Sequence, residues 1–135
     1  MLDELLHRVS HYTPRTLETD RRFPEAAVLV PITRSEEPEL VLTLRASGLS
    51  THGGEVAFPG GRRDPEDPDL IFTALREAKE EIGLPPGLVE VIGPLSPLIS
   101  LHGIKVTPYV GVIPDYVEYQ ANDAEIAAVF SVPLE

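Results

Sequence analysis

The stretch from Asp69 to Pro86 admits one long helix and little else. Leu70, Ile71, Ala74, Leu75, Ala78 and Ile82 recur at helical spacing and predict an apolar stripe turned toward a core. Asp69 can cap the first free backbone N–H groups, and Gly83 followed by Pro85 and Pro86 ends the helix. Three carboxylates, Glu77, Glu80 and Glu81, share a face away from that stripe, because residues three and four apart are neighbours on a helix.

That placement is electrostatically awkward. The carboxylates crowd into the last two turns, where the helix dipole disfavours anions. Each like-charged pair costs about 0.2–0.5 kcal/mol, and Arg76 and Lys79 are the cations at hand. A solvated acidic face is one solution. A bound cation is the other, and all-oxygen ligation favours Mg²⁺ or Mn²⁺ over zinc.

The run Arg76-Glu77-Ala78-Lys79-Glu80-Glu81-Ile82-Gly83-Leu84, preceded by Gly60-Gly61, closely resembles the Nudix box, G-x5-E-x7-R-E-U-x-E-E-x-G-U with U apolar. Its second half matches at every fixed position. Its first half has Asp67 in place of Glu, and eight residues rather than seven separate Asp67 from Arg76. The resemblance implies an α/β/α sandwich with a mixed sheet, in which the box forms a loop–helix–loop. It implies Mg²⁺ or Mn²⁺ held by Glu77, Glu80 and Glu81, with Glu80, Glu81 and Arg76 as the catalytic group. Such an ion would bridge pyrophosphate oxygens and lower the pKa of a water, with Glu80 the box residue placed to take its proton. Glu118 and Glu125 are alternatives outside the box. Arg76 would pair with a box glutamate and fix its rotamer.

Around that helix the chain reads as strands. Ala26–Thr33 is a buried candidate, Leu40–Arg45 pairs back on it as a hairpin, and Val56–Phe58 leads into the box. Val89–Ile92, Leu98–Leu101, Val106–Ile113 and Ala127–Val132 follow. Pro94, Pro97, Pro108 and Pro114 are expected at edges, bulges or strand ends. Leu2–Val9 reads as a short amphipathic helix with Asp3 as cap and Leu5, Leu6 and Val9 on one side. The expected division is residues 1–23 for that helix and an extended connection, with Arg15, Arg21 and Arg22 in the latter, and 24–135 for the Nudix domain.

A second segment narrows the substrate. Val41-Leu42-Thr43-Leu44-Arg45-Ala46, then Gly54, then Phe58-Pro59-Gly60-Gly61 resembles the coenzyme A pyrophosphatase motif L-L-T-x-R-[SA]-x3-R-x3-G-x3-F-P-G-G. Ser50 departs from it, standing where the motif has its second Arg, and Glu55 stands where Gln is usual in that subgroup. Hydrolysis of coenzyme A or a derivative is the reading this implies; ADP-ribose, NADH, a dinucleoside polyphosphate, or a non-catalytic nucleotide-binding role are the alternatives. Arg45, His52, Gly60, Gly61 and Arg62 are the substrate-binding candidates, the glycines allowing close backbone approach and a positive φ. Lys105 is a further candidate for phosphate, and His102 for the cleft, whereas His7 and His11 read as surface.

Charge and length set the remaining bounds. A formal net charge of −11 over 135 residues argues against nonspecific binding to nucleic acid or anionic membrane. It also means that an anionic substrate needs local Arg, Lys or metal. The chain has no Cys, which excludes thiol chemistry and agrees with the cytoplasm. No apolar run reaches the ~20 residues of a membrane span, and the N-terminus does not read as a secretory signal. A small-molecule nucleotide is the expected partner. In the folds the chain resembles, a further helix follows the last strand, so the domain is expected to be incomplete at its C-terminal end. Strands such as Ala26–Ile32 would then face water unless a homodimer forms or Leu2–Val9 is exchanged between copies.

Overall fold

A long apolar run makes Glu25–Arg34 the central strand, β1, packed against one core on each face. The structure is a computed structural model that describes residues 2–14, 23–47 and 53–134. In chain order its elements are α1 (Leu2–His11), β1, β2 (Glu39–Arg45), β3 (Val56–Ala57), β4 (Gly60–Arg62), α2 (Leu70–Ile82), β5 (Glu90–Pro94), β6 (Leu98–Ile99), β7 (Lys105–Pro114) and β8 (Ile126–Pro133). One mixed sheet runs β3-β2-β1-β7-β5, with β4 paired to β1, β6 to β7 and β8 to β2. β1 and β7 are parallel, with Ala26 opposite Val106 and Val30 opposite Val110. The other pairings are antiparallel. This is the expected α/β/α sandwich.

Alternation along β1 divides its side chains between two layers. Ala27 and Leu29 join Ala74, Ala78 and Ile82 of α2 in one core. Val30 and Ile32, with Val110 and Val112 of β7, pack against Leu2, Leu6 and Val9 of α1 in the other. The Val30–Ile32 end of the strand expected to face water is therefore covered by α1 of the same chain, while Ala26 and Val28 line a cavity. No helix among the described residues is long and apolar enough to cross a membrane.

Several details differ from the sequence reading. α1 begins before Asp3, which lies inside the helix and does not cap it. Ile71 is 37% exposed, and Thr73 takes its place on the buried face of α2. A hydroxyl can be buried there because Thr73 Oγ1 donates to Asp67 Oδ2 at 2.8 Å. Pro108 lies inside β7, not at an edge. Its carbonyl accepts from Leu95 N, just past the end of β5, so its missing donor falls in the gap between β5 and β6, where the ladder is already interrupted. Residues 15–22, and with them Arg15, Arg21 and Arg22, lie outside the described residues.

Candidate active site

Both ends of α2 are fixed by local chemistry. Asp69 Oδ1 accepts from Phe72 N at 2.8 Å, and Gly83 closes the helix at φ 71°. Past the C-terminus, Gln120 N and Asn122 N donate to the free carbonyls of Ile82 and Glu81 at 2.9 and 2.8 Å. Asn122 then turns the chain, its carbonyl accepting from Glu125 N and Ile126 N. The loop that caps the helix thereby sets Glu125 beside it.

The carboxylates reach the other face of the sheet past β4. A side chain at Gly61 would stand 2.5 Å from Glu77 Cδ, so the absent Cβ leaves the space that this carboxylate fills. Glu81 is 3% exposed, and its Oε1 accepts from Gly60 N at 3.4 Å. Glu77, Glu81 and Glu125 line one end of a cavity of about 720 Å³, with Arg45 and Glu55. Arg45 Nε is buried there without a hydrogen-bond partner. Buried donors are rarely left so, and an anionic ligand would satisfy it.

Arg76 holds the outer side of this cluster. Its Nε and Nη2 donate to the two oxygens of Asp67 at 3.1 and 2.9 Å, and Nη2 also to the Arg62 carbonyl at 3.1 Å. Its Nη1 donates to Glu77 Oε1 at 3.1 Å and to Glu80 at 3.3 Å. Asp67 is buried and also accepts from Asp64 N and Thr73 Oγ1. The Arg76 hydrogen bonds, helped by those donors, hold the Asp67 carboxyl far below the usual carboxylate range. Hydrogen bonding to Asp67 raises Arg76 in turn.

Comparison with known proteins agrees with this arrangement. The NUDIX domain pattern matches residues 23–135. The chain belongs to the Nudix family. It is 48% identical over 133 residues to the "Uncharacterized Nudix hydrolase NudL" of Enterobacter sp. (strain 638), covering 98% of this chain and 69% of that protein. Its fold is similar to that of a C. elegans Ap4A hydrolase (TM-score 0.68, 20% identity, 78% of this chain and 77% of that one). It is also similar to the NUDIX domain of Shewanella oneidensis NrtR, solved with ADP ribose (TM-score 0.66, 20% identity, 95% and 82%). As a Nudix hydrolase it falls among enzymes that cleave pyrophosphate bonds.

With the Nudix box located, the sequence-derived residues sort themselves. Glu77, Glu81, Arg45, Gly60, Gly61, Arg62 and His102 line the cavity. Glu80 does not; it is exposed and its carboxylate rests on Arg76. Lys105 and the exposed Glu118 are not among the lining residues either, and Glu125 is. His52 and Ser50 lie outside the described residues. Gly60 and Gly61 do not adopt positive φ, which occurs at Gly54, Gly83 and Gly103. They form strand β4, and their small size answers to sterics: a Cβ at Gly60 would stand 2.4 Å from the Ala27 carbonyl oxygen. Sequence reasoning missed β4 because two glycines carry no periodic or β-branched signal. Asp67, short by one methylene and displaced by one residue, still reaches Arg76 because the Asp64–Asp67 turn draws it in.

The donor set at the acidic end fits a hard divalent cation. Glu77 and Glu81 offer only carboxylate oxygens, and burial raises the pKa of both. Among the described residues no three carboxylate or imidazole groups could enclose an ion alone. A cation there would complete its shell with water, backbone or substrate oxygens, as Mg²⁺ commonly does.

Burial, reinforced by Glu77, pushes the Glu81 carboxyl from its usual 4.5 up to about 8. Between those values the folded metal-free protein binds more protons at Glu81 than the unfolded chain, so stability falls as pH rises through this window. The melting temperature in chelator is therefore expected to drop from pH 5 to pH 8. Excess Mg²⁺ should restore it increasingly toward pH 8, because binding requires the ionised carboxylate. Glu81→Gln should flatten the chelator profile; a variant as steep as the native protein would refute this assignment.

Proposed function

We propose that this protein is a Mg²⁺- or Mn²⁺-dependent pyrophosphohydrolase whose substrate is coenzyme A or a CoA derivative. The observation that carries the reading is one cavity shared by the half-buried Glu77 and the buried Glu81, by Glu125, and by Arg45 with its unpartnered Nε. Glu77, Glu81 and the backbone around Gly60 would hold the cation. When bound, such an ion neutralises phosphate charge and makes water a better nucleophile. Arg45 binds a phosphate oxygen and orients the pyrophosphate. Glu125, held on the Asn122 turn, takes the proton of the attacking water. Arg76 and Asp67 act at one remove, fixing the outer oxygen of Glu77, and Glu80 shares that Arg76 contact.

The CoA assignment draws on the segment from Val41 to Gly61, which brings Arg45, Gly60 and Gly61 into the cavity. A second reading takes ADP-ribose, NADH or a dinucleoside polyphosphate. Glu55 favours it, since this carboxylate lines the cavity where the CoA motif has a neutral Gln. Incubating the protein with CoA, ADP-ribose, NADH and diadenosine polyphosphates in Mg²⁺ or Mn²⁺, and identifying the products, decides between them. Ser50→Arg restores the motif's second cation, and a charged hydrogen bond is worth about 1.5–3 kcal/mol. It should raise kcat/KM for CoA by about tenfold or more, and for ADP-ribose by less. An equal gain on both would count against CoA.

A further inference from the structure

Alternation places Ala26 and Val28 on the same face of β1 as Val30 and Ile32. Parallel register places Val106 beside Ala26, in line with Val110 and Val112. α1 covers Val30, Ile32, Val110 and Val112. Ala26, Val28 and Val106 continue that apolar row past the end of the covered region and line the cavity instead, with Pro24 and Ile104. Phe58 stands at the boundary, packed against the α1 core and lining the cavity as well. One cavity thus joins an end bearing carboxylates and Arg45 to an aliphatic floor.

The chemistry of that floor selects its occupant. Sugar hydroxyls laid on Ala26, Val28 and Val106 would lose water without gaining a partner. An aromatic base needs flat surfaces to stack on. Among the described lining residues the rings are Phe58 and His102, and Phe58 is engaged with the α1 core. A saturated chain needs only apolar area.

We propose that this floor receives the aliphatic carbons of a flexible arm attached to the pyrophosphate, and that Phe58 sets how long an aliphatic stretch is accepted. The proposal rests on the pyrophosphohydrolase reading above and gives that site its substrate class. It is tested with ADP esterified at its β-phosphate by methanol, propanol, hexanol, decanol or phenol, alongside ADP-ribose. In the native protein kcat/KM rises from methyl to hexyl, approaching about fourfold per carbon where a methylene is fully buried, and levels off by decyl. The hexyl ester exceeds both ADP-ribose and the phenyl ester. Phe58→Ala opens the end wall, so the rise continues to decyl; Phe58→Leu moves the plateau less and serves if Phe58→Ala does not fold.

A flat or falling series would overturn the proposal. A phenyl ester better than hexyl would mean an aromatic occupant and would overturn it too. An unmoved plateau in a folded Phe58 variant would overturn the role of Phe58. Calorimetric binding of the methyl, hexyl and phenyl esters built on a methylene-bridged diphosphate separates this from the reaction itself. Graded tightening with no ester hydrolysed would uphold the floor and sink the pyrophosphohydrolase reading; hydrolysis without gradation would do the reverse.

Discussion

Glu77→Gln and Glu81→Gln are each expected to lower kcat/KM by about a thousandfold, the scale of losing one group that stabilises charge in a transition state. Both side chains supply only oxygen to the cavity, and both carry raised pKa values because burial strips water from them. Glutamine keeps the volume and a carbonyl that Gly60 N can still reach, so the Glu81 variant should fold. In chelator at pH 8 it should be more stable than the native protein, because an unfavourable buried charge is gone. Glu125→Gln should lose far more activity than Glu80→Gln, whose side chain lies against Arg76 outside the cavity lining. Steady-state kinetics and thermal unfolding on the four variants check this. Native-like turnover in both the Glu77 and Glu81 variants would sink the metal assignment.

Gly60→Ala and Gly61→Ala should fail in opposite ways. At position 60 a Cβ would stand 2.4 Å from the Ala27 carbonyl oxygen and 2.7 Å from Val28 Cα. Both are backbone atoms of the central strand, so β4 must move away from β1. Overpacking of this kind costs about 1–3 kcal/mol, read as a lower melting temperature. At position 61 the Cβ meets only the end of the Glu77 side chain, at 2.5 Å from Cδ and 2.6 Å from Oε1. That carboxylate can swing aside, so the fold should survive at nearly native stability. Displacing a catalytic group by about 1 Å can cost about a hundredfold in rate, and Gly61→Ala should show a loss of that size. Equal melting temperatures in the two variants, or full activity in Gly61→Ala, would contradict the geometry.

Much of the site was legible before any fold was in hand, because its signals are local. The cap at Asp69, the stop at Gly83 and the spacing of Glu77, Glu80 and Glu81 are set by backbone hydrogen bonding and the pitch of one helix. The strands on either side of β1 were likewise visible in their apolar runs. Sequence also put Arg45 in the substrate group, through the segment that leads to Gly60-Gly61.

The tertiary structure decided what spacing could not. Helix periodicity makes Glu77, Glu80 and Glu81 neighbours and cannot say which of them turns inward. Packing against β4 decides that: Glu77 fills the space a Cβ at Gly61 would take and Glu81 is buried against Gly60 N, while Glu80 stays exposed on Arg76. Glu125 is 44 positions beyond Glu81 in number and joins it only because the Gln120–Asn122 backbone caps the free carbonyls of α2. Thr73 displaced Ile71 from the buried face because Asp67, arriving from the preceding loop, offered its hydroxyl a buried acceptor. The same sheet face is core beneath α1 and cavity floor beyond it, although Val30 and Val28 read alike in the sequence. Which of two like residues is covered depends on where a distant helix comes to rest, and packing between elements far apart in the chain leaves no local mark in the amino-acid pattern.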